Sequence, residues 1–282
     1  MLKVNYKTMK NTKQEIPRIN KEKWQNDYDY LFEGKKIEKE KDKIIFKMRF
    51  VRHSEKQITS GSETNLTKRG IFQGAILGTK RGKADSLTIN YSPTPRTQAT
   101  AETAAISGNS KTTIKENSTL GIKNDLSQKY LEELMSIKRK IRKKYPVELS
   151  SKQKKELDIE VGNAQIDSYL AHKQNKPDKG TLSPEKMGSK IKKIIKEQID
   201  DIKNGEYENG SIHESLNITH DLVIASFLNQ AIGNYGEYAI KPGEGFEIII
   251  KNKNAGEAKD ETELILFFRG KEYKLNYDEL YK

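Results

Sequence analysis

One run of residues, 43–52, constrains the fold more than any other part of the chain. Most of its side chains are apolar, namely Ile44, Ile45, Phe46, Met48, Phe50 and Val51. A nearly continuous apolar run of this length is typical of a buried sheet strand and lacks the 3.6-residue stripe of a helix. The run ends on Arg52 and His53, which places both at a strand-to-loop corner.

A histidine at that corner is well placed for chemistry. In open α/β sheets, ligands bind just outside the carboxyl ends of the strands. An Arg-His pair taken alone is more often structural or simply on the surface. The interpretation of Arg52 and His53 therefore depends on what the other strand ends supply.

A second predicted strand also ends in an arginine. Residues Ser86–Tyr91 alternate in polarity like a short strand. The prolines Pro93 and Pro95 then form a rigid turn, and a helix of small residues follows from about Thr97. Arg96 is thus predicted at a helix N-terminus, where free N–H groups and the helix dipole attract phosphate.

A third strand end carries a histidine and an aspartate. Residues 210–218 lead into a strand that stops at the sequence Asn-Ile-Thr-His-Asp, and an apolar helix follows from Leu222 to Ala231. His220 and Asp221 lie at this junction. Asp221 is also a natural N-cap for the helix that begins at Leu222, and it could serve both purposes.

The predicted fold class is α/β, a three-layer α/β/α sandwich around a mainly parallel sheet with a helical insertion. Residues 1–42 are predicted to be a basic N-terminal extension, and residues 43–282 the main domain. Within that domain, 124–185 is a helical insertion, either a lid over the strand ends or an uninvolved solvated hairpin. Residues 245–270 are predicted to form a C-terminal strand pair. Five apolar and aromatic residues are expected to hold the extension to the domain, namely Trp24, Tyr28, Tyr30, Leu31 and Phe32.

Composition narrows the class of protein. A hydrophobic content of 34% and a charged content of 33% describe a very polar surface, and no stretch is apolar enough to span a bilayer. The N-terminus lacks the apolar segment of a secretory signal. The absence of cysteine excludes disulfides and thiolate metal sites and fits a reducing compartment. We therefore expect a cytoplasmic protein with no membrane partner.

The net charge of +12 raises the possibility of nucleic-acid binding. Lysine, however, is scattered along the whole chain, and no zinc finger, aromatic RNP stretch or helix-turn-helix signal accompanies it. Nucleic acid is therefore the minor interpretation.

Four segments together resemble the histidine phosphatase superfamily, which includes phosphoglycerate mutases and histidine acid phosphatases. They are Val51–Lys56 (VRHSEK), Leu66–Ala75 (LTKRGIFQGA), Ser92–Ala101 (SPTPRTQATA) and Thr219–Asp221 (THD). They occur in the family's order and cover roughly residues 44 to 250. Each segment is a weak signal alone, and the set with its predicted strand ends is a strong one.

The resemblance implies that His53 is the nucleophile and accepts the phosphoryl group as a phosphohistidine. It also implies that Arg52, Arg96 and His220 form the phosphate pocket. The chemistry is consistent with this, because guanidinium groups bind phosphate oxygens bidentately and offset the negative charge that repels a nucleophile. Ser54 stands where the family commonly has glycine. Lys56 stands where the acid-phosphatase branch has an arginine, so it is a secondary phosphate ligand.

The family has two ways of protonating the leaving oxygen. In the acid-phosphatase branch the donor is the aspartate after the second histidine, which corresponds to Asp221. In the mutase branch it is a glutamate downstream of the second arginine. The acidic residues downstream of Arg96 include Glu102, Glu116, Asp125, Glu132 and Glu133, and none of them lies in a convincing copy of that motif. We therefore favour Asp221.

The predicted function is hydrolysis of a phosphomonoester through a phosphohistidine, on a small phosphorylated substrate that the sequence does not identify. Neither a metal nor a cofactor is expected. The alternatives are a phosphoglycerate mutase-type phosphotransferase and a non-catalytic phosphate-recognition module. The remaining histidines, His172 and His213, are predicted to be structural or on the surface. The sequence does not indicate the oligomeric state.

Overall fold

The computed structural model describes residues 38–41, 43–56, 66–79, 84–108, 112–122, 125–233, 236, 238–253 and 262–278. The chain divides into two compact units. The first unit is drawn from residues up to Gly121, from Ile194–Thr219 and from Lys241 onward, and the second from Ile122–Lys193 and His220–Ile240. The predicted N-terminal extension and its aromatic residues lie outside the described residues, apart from 38–41.

The first unit is built on a seven-stranded mixed sheet with the order β3-β2-β4-β1-β5-β6-β7. Its strands are β1 (Lys43–Arg52), β2 (Ser86–Tyr91), β3 (Thr112–Glu116), β4 (Ile212–Thr219), β5 (Gly245–Lys253), β6 (Glu263–Phe268) and β7 (Lys271–Leu275). The first four strands in the sheet order run parallel, and β5, β6 and β7 are added antiparallel to their neighbours. The strands predicted at 43–52 and 86–91, the strand predicted from 210–218 and the strand pair predicted within 245–270 are thus confirmed, the last three with the bounds of β4, β5 and β6.

Six α-helices accompany the sheet in the described part of the chain. They are α1 (Lys68–Thr79), α2 (Pro95–Ser107), α3 (Gln128–Arg142), α4 (Ser151–Leu170), α5 (Pro184–Lys203) and α6 (Asp221–Ile232). Helix α5 begins in the second unit and continues into the first. The predicted cap of α1 is confirmed, because the hydroxyl of Thr67 accepts from the Gly70 N–H at 2.9 Å. None of these helices combines the length and the apolarity needed to cross a bilayer.

Helices cover both faces of the sheet within the first unit. On one face, Val51 of β1 packs in a cluster with Leu77 of α1 and Ala101 of α2. Phe46 points to the opposite face, since successive strand residues alternate. There the ring of Tyr207 meets Phe46 edge-on at 5.7 Å, and Gln198 of α5 donates to the Tyr207 hydroxyl at 2.9 Å. The predicted three-layer α/β/α class is confirmed.

Some element boundaries differ from those the sequence predicts. Helix α2 begins at Pro95 rather than at about Thr97, because proline suits the first position of a helix, where its missing N–H costs nothing. Helix α6 begins at Asp221 rather than Leu222, and His220 occupies the N-cap position. The C-terminal pair β5–β6 is extended by β7 through a two-residue turn at Arg269 and Gly270, which have φ of +47° and +74°.

The second unit contains a pair of helices with an apolar seam of their own. Ile141 of α3 packs with Leu157 and Val161 of α4. Helix α3 is capped by Ser127, whose hydroxyl accepts from the Tyr130 N–H at 3.0 Å, and α4 begins with a capping box between Ser150 and Gln153. The predicted helical character of residues 124–185 is therefore present.

His213 lies on β4 away from the strand's carboxyl end and is held in a polar and aromatic cage. Its Nδ1 lies 2.7 Å from the Ser86 hydroxyl, and its Nε2 lies 2.8 Å from the Ser211 hydroxyl. The Tyr207 ring packs against it at 4.3 Å. Burial lowers the pKa of His213 below its ordinary value, opposed by the nearby Asp85 and assisted by Lys39.

This cage predicts a loss of stability in mild acid. A lowered folded-state pKa means that the unfolded chain binds a proton more readily than the folded chain, so stability is complete well above pH 6.5 and falls as the pH drops below it. We expect the free energy of unfolding to fall more between pH 7.5 and 5.5 in the wild type than in His213→Gln, measured by urea titration. Asp85, whose pKa is also lowered, contributes its own loss only at more acid pH. Parallel pH curves for the two proteins would contradict the prediction.

Candidate active site

Two strand ends bring the predicted residues of the first unit to one edge of the sheet. Arg52, the last residue of β1, lies opposite Thr219, the last residue of β4, and Tyr91 at the end of β2 lies opposite Ile218. Because these strands are parallel, all of these are carboxyl ends. The corner predicted from the sequence therefore exists, with β1 and β2 on either side of β4.

His53 is buried at this edge, and its orientation is fixed by backbone groups. Its backbone N–H donates to the Thr219 carbonyl at 3.1 Å, and its ring Nδ1 lies 2.9 Å from the Ser54 carbonyl oxygen. A carbonyl oxygen only accepts, so Nδ1 carries the proton in this hydrogen bond. In a neutral imidazole the lone pair then resides on Nε2.

A threonine hydroxyl connects the loop after His53 to the helix turn that carries Arg96. The Ser54 N–H donates to Thr100 Oγ1 at 3.0 Å, and the same hydroxyl donates to the Arg96 carbonyl at 2.8 Å. Thr100 is buried in the first turns of α2. The structure thus joins the backbone next to His53 and the backbone of Arg96 through a single side chain.

Glu55 fastens the other side of this loop to α1. Its carboxylate accepts from the Thr67 hydroxyl and from Arg69 Nη1, both at 3.0 Å, while its backbone N–H donates to Gln73 Oε1 at 2.9 Å. Gly70 permits this close approach, because a Cβ at that position would lie 2.0 Å from the Glu55 carbonyl oxygen. The loop that carries His53 is therefore held between α1 and α2.

Arg52 is positioned by a third backbone clamp. Its N–H donates to the Glu244 carbonyl at 2.8 Å, and its carbonyl accepts from the Gly243 N–H at 3.0 Å. Glu244 is itself fixed, because its carboxylate accepts from the Lys241 N–H at 2.6 Å and from Arg269 Nε at 2.7 Å. The half-buried Arg52 side chain therefore starts from a rigid backbone.

The remaining predicted residues are Lys56, His220 and Asp221. Lys56 is half-buried and forms an isolated antiparallel bridge with Leu66. His220 follows Thr219 directly and is the N-cap of α6, with a side chain that is almost fully buried. The Asp221 carboxylate accepts from the Leu222 N–H at 2.9 Å, as suits an acid in the first turn of a helix. His220 and Asp221 belong to the second unit, and their action together with His53 stays a prediction.

Sequence reasoning missed Thr100 and the partners of Glu55 as site residues. A threonine within a helix of small residues is typical of packing, and no local pattern indicates a hydroxyl that bridges two backbone groups. The segment Leu-Thr-Lys-Arg-Gly did contain a signal, because it includes Thr67, Arg69 and Gly70, the residues that meet Glu55. Across the described residues, no three His, Cys, Asp or Glu side chains are grouped so as to hold a metal ion.

Removing the Thr100 hydroxyl is expected to weaken positioning without unfolding the chain. Thr100→Val keeps the shape but leaves the buried Ser54 N–H without its acceptor, so we expect a loss of about 1–3 kcal/mol in the free energy of unfolding. Phosphoester turnover should fall about tenfold or more, with rescue by Thr100→Ser. Thr103→Val is a matched control, because that hydroxyl donates only to the Ala99 carbonyl of its own helix. Equal turnover in the two valine variants would contradict a positioning role.

Comparisons with known proteins give matches only among solved structures. No family model matches the chain, and no curated protein matches it in sequence. A phosphoglycerate mutase from Bacillus anthracis str. Sterne aligns at 16% identity over 86% of this chain and 96% of that one, with a TM-score of 0.41. Bacillus stearothermophilus YhfR aligns at 14% identity over 80% and 96%, with a TM-score of 0.45. A Hafnia alvei phytase in complex with tartrate aligns at 9% identity over 80% and 83%, with a TM-score of 0.43.

At this identity and these TM-scores the alignments assign no activity to this chain.

Proposed function

We propose that this protein transfers the phosphoryl group of a small phosphomonoester to His53 and then to water. The observation that carries the proposal is the double anchoring of His53, by its backbone N–H on Thr219 and by Nδ1 on the Ser54 carbonyl. Because Nδ1 holds the proton in that hydrogen bond, Nε2 is the ring nitrogen with a free lone pair for attack on phosphorus, and His53 follows the carboxyl end of a parallel strand.

In the first step, Nε2 of His53 attacks phosphorus, a nitrogen–phosphorus bond forms and the phosphorus–oxygen ester bond breaks. Arg52 and Arg96 bind the phosphoryl oxygens, with His220 as a further donor and Lys56 as a point charge. Asp221 gives its proton to the leaving oxygen. In the second step, water gives a proton to Asp221 and its oxygen attacks phosphorus while the nitrogen–phosphorus bond breaks, which releases inorganic phosphate and restores neutral His53. Side chains supply the nucleophile and the positive charge, so no metal enters either step.

The first experiment measures turnover of a chromogenic aryl phosphate and isolates the phosphoenzyme. We expect inorganic phosphate as the product and a protein-bound phosphoryl group that is labile in acid and stable in base. Phosphate binding without turnover or label would indicate a recognition module instead. Transfer of the group between the hydroxyls of a phosphorylated glycerate, without release of phosphate, would indicate a mutase.

Asp221→Asn tests the proton donor separately from the nucleophile. A poor leaving group such as an alkyl alcohol needs the proton, and a good one such as a nitrophenol does not. We expect turnover of an alkyl phosphate to fall by about 100-fold or more while turnover of nitrophenyl phosphate falls far less. Equal loss for both substrates would remove Asp221 from the acid role and leave it as a residue of the α6 N-terminus.

A further inference from the structure

The second unit contains a concentration of positive charge that phosphoester chemistry does not use. Residues 138–155 comprise the end of α3, the connection to α4 and the first turn of α4. These 18 residues hold nine lysines and arginines against one glutamate, a net charge of +8 in a chain whose total is +12. We call this segment, with Met135 just before it, the basic tip. Two thirds of the net positive charge is therefore concentrated in this segment, although lysine occurs along the whole chain.

Most of the charge on the basic tip faces solvent and is not neutralised by the protein. Eight of the nine cationic side chains are exposed, and the exception is Arg142. Arg142 binds the backbone carbonyls of Tyr145, Pro146 and Val147 at 2.7–3.2 Å and so shapes the turn. Of the nine cations, only Lys144 and Lys152 form ion pairs with described residues, with Glu160 at 2.8 Å and Glu156 at 3.9 Å respectively. Six cations have no acidic partner in the described part of the chain, namely Lys138, Arg139, Lys140, Lys143, Lys154 and Lys155.

The exposed apolar side chains lie at the same place. Within the described residues, the large hydrophobic side chains that are exposed are Leu131 (40%), Met135 (51%) and Val147 (91%). Met135 and Leu131 occupy successive turns of α3, and Val147 lies in the connection between α3 and α4, next to the exposed Pro146. The apolar seam around Ile141 and Leu157 holds the two helices together without using these side chains.

We propose that the basic tip docks onto the surface of an anionic lipid bilayer. Lysine-rich clusters are attracted to acidic headgroups, and an exposed apolar residue among them gains by entering the headgroup boundary. Binding to nucleic acid would account for the positive charge but not for the exposed apolar side chains of Val147 and Met135. The tip also has no fully exposed aromatic ring on which a base could stack. Such peripheral docking needs no spanning helix, and it replaces the expectation of no membrane partner.

The test is co-sedimentation of the full chain with vesicles. Vesicles of phosphatidylcholine alone are compared with vesicles that contain about a third phosphatidylserine, at ionic strengths of about 0.01 M and 1 M. We expect binding only to the anionic vesicles and only at low salt. Equal binding to neutral vesicles, or no binding to either kind, would overturn the proposal.

Two charge variants with the same total charge locate the contact. The tip variant carries Lys138→Glu, Lys140→Glu, Lys154→Glu and Lys155→Glu. The control variant carries the same change at four exposed lysines elsewhere, Lys115, Lys186, Lys271 and Lys274. We expect the tip variant to lose at least about 100-fold in the partition constant, and the control about threefold. Equal losses would show attraction to the net charge alone and overturn the assignment to the tip.

Val147→Ser separates a membrane from a nucleic acid. It leaves every charge in place, so we expect about fivefold weaker binding to anionic vesicles from the lost apolar contact. Unchanged vesicle binding would overturn the choice of a membrane. Retention of an RNA or DNA duplex by the wild type but not by the tip variant, with no vesicle binding by either, would also overturn it and assign the tip to nucleic acid.

Discussion

Replacing His53 with alanine is expected to abolish phosphoester turnover, with a loss of at least about 1,000-fold, and to abolish the acid-labile phosphoryl label. The reason is chemical. The proposed reaction proceeds through a bond between phosphorus and Nε2 of His53, and the proposal assigns this role to no other residue. The backbone bond from residue 53 to Thr219 does not involve the side chain, so the variant should fold. Turnover and label are measured with a chromogenic phosphoester, and unfolding with urea.

His172→Gln is the matched control for this experiment. His172 is a half-buried histidine of the second unit whose ring meets Tyr130 edge-on at 6.1 Å. It occupies no strand end, so its loss should leave turnover and label intact. Wild-type turnover by His53→Ala would remove His53 from its role and with it the proposed function.

The strand ends of the site could be predicted because they follow from local patterns. The apolar run before Arg52 and the alternation before Arg96 identify β1 and β2, and turn or cap residues mark where each strand stops. The same reasoning placed His220 and Asp221 after β4. What these patterns cannot supply is the set of contacts that orients the side chains, because Thr219, Thr100 and Glu244 reach the site from distant parts of the chain.

Two strands escaped prediction for a physical reason. Strand β3, Thr-Thr-Ile-Lys-Glu, contains a single large apolar residue, Ile114, because it is an edge strand with little to bury. Strand β7, Lys-Glu-Tyr-Lys-Leu, lies at the other edge and is likewise largely exposed. Edge strands take their order from main-chain pairing more than from side-chain burial, so their hydrophobic signal is weak.

Strand β1 also contains two buried cations that its apolar run does not predict. Lys47 and Arg49 lie on one face of β1 with side chains only 3% and 1% exposed. Their partners come from the flanking strands. Lys47 Nζ lies 2.9 Å from the Glu247 carboxylate of β5, and Arg49 Nη2 lies 3.7 Å from the Glu214 carboxylate of β4. A one-residue slip of β1 would turn both cations onto the face packed with Phe46, so the charges penalise the wrong register.

Removing one charge from this set of buried ion pairs is therefore expected to be among the most destabilising changes in the protein. Glu247→Leu removes the nearer of the two carboxylates that pair with the buried Lys47, at 2.9 Å against 4.0 Å for Glu214, and should cost about 3–5 kcal/mol in the free energy of unfolding. The double variant Lys47→Met with Glu247→Leu removes both charges and keeps the volume, so it should recover most of that loss. Urea unfolding of the wild type, of Glu247→Leu, of Lys47→Met and of the double variant gives the coupling energy between Lys47 and Glu247. Additive losses in the two single variants would contradict the prediction, because they would show that Lys47 and Glu247 stabilise the sheet independently of each other.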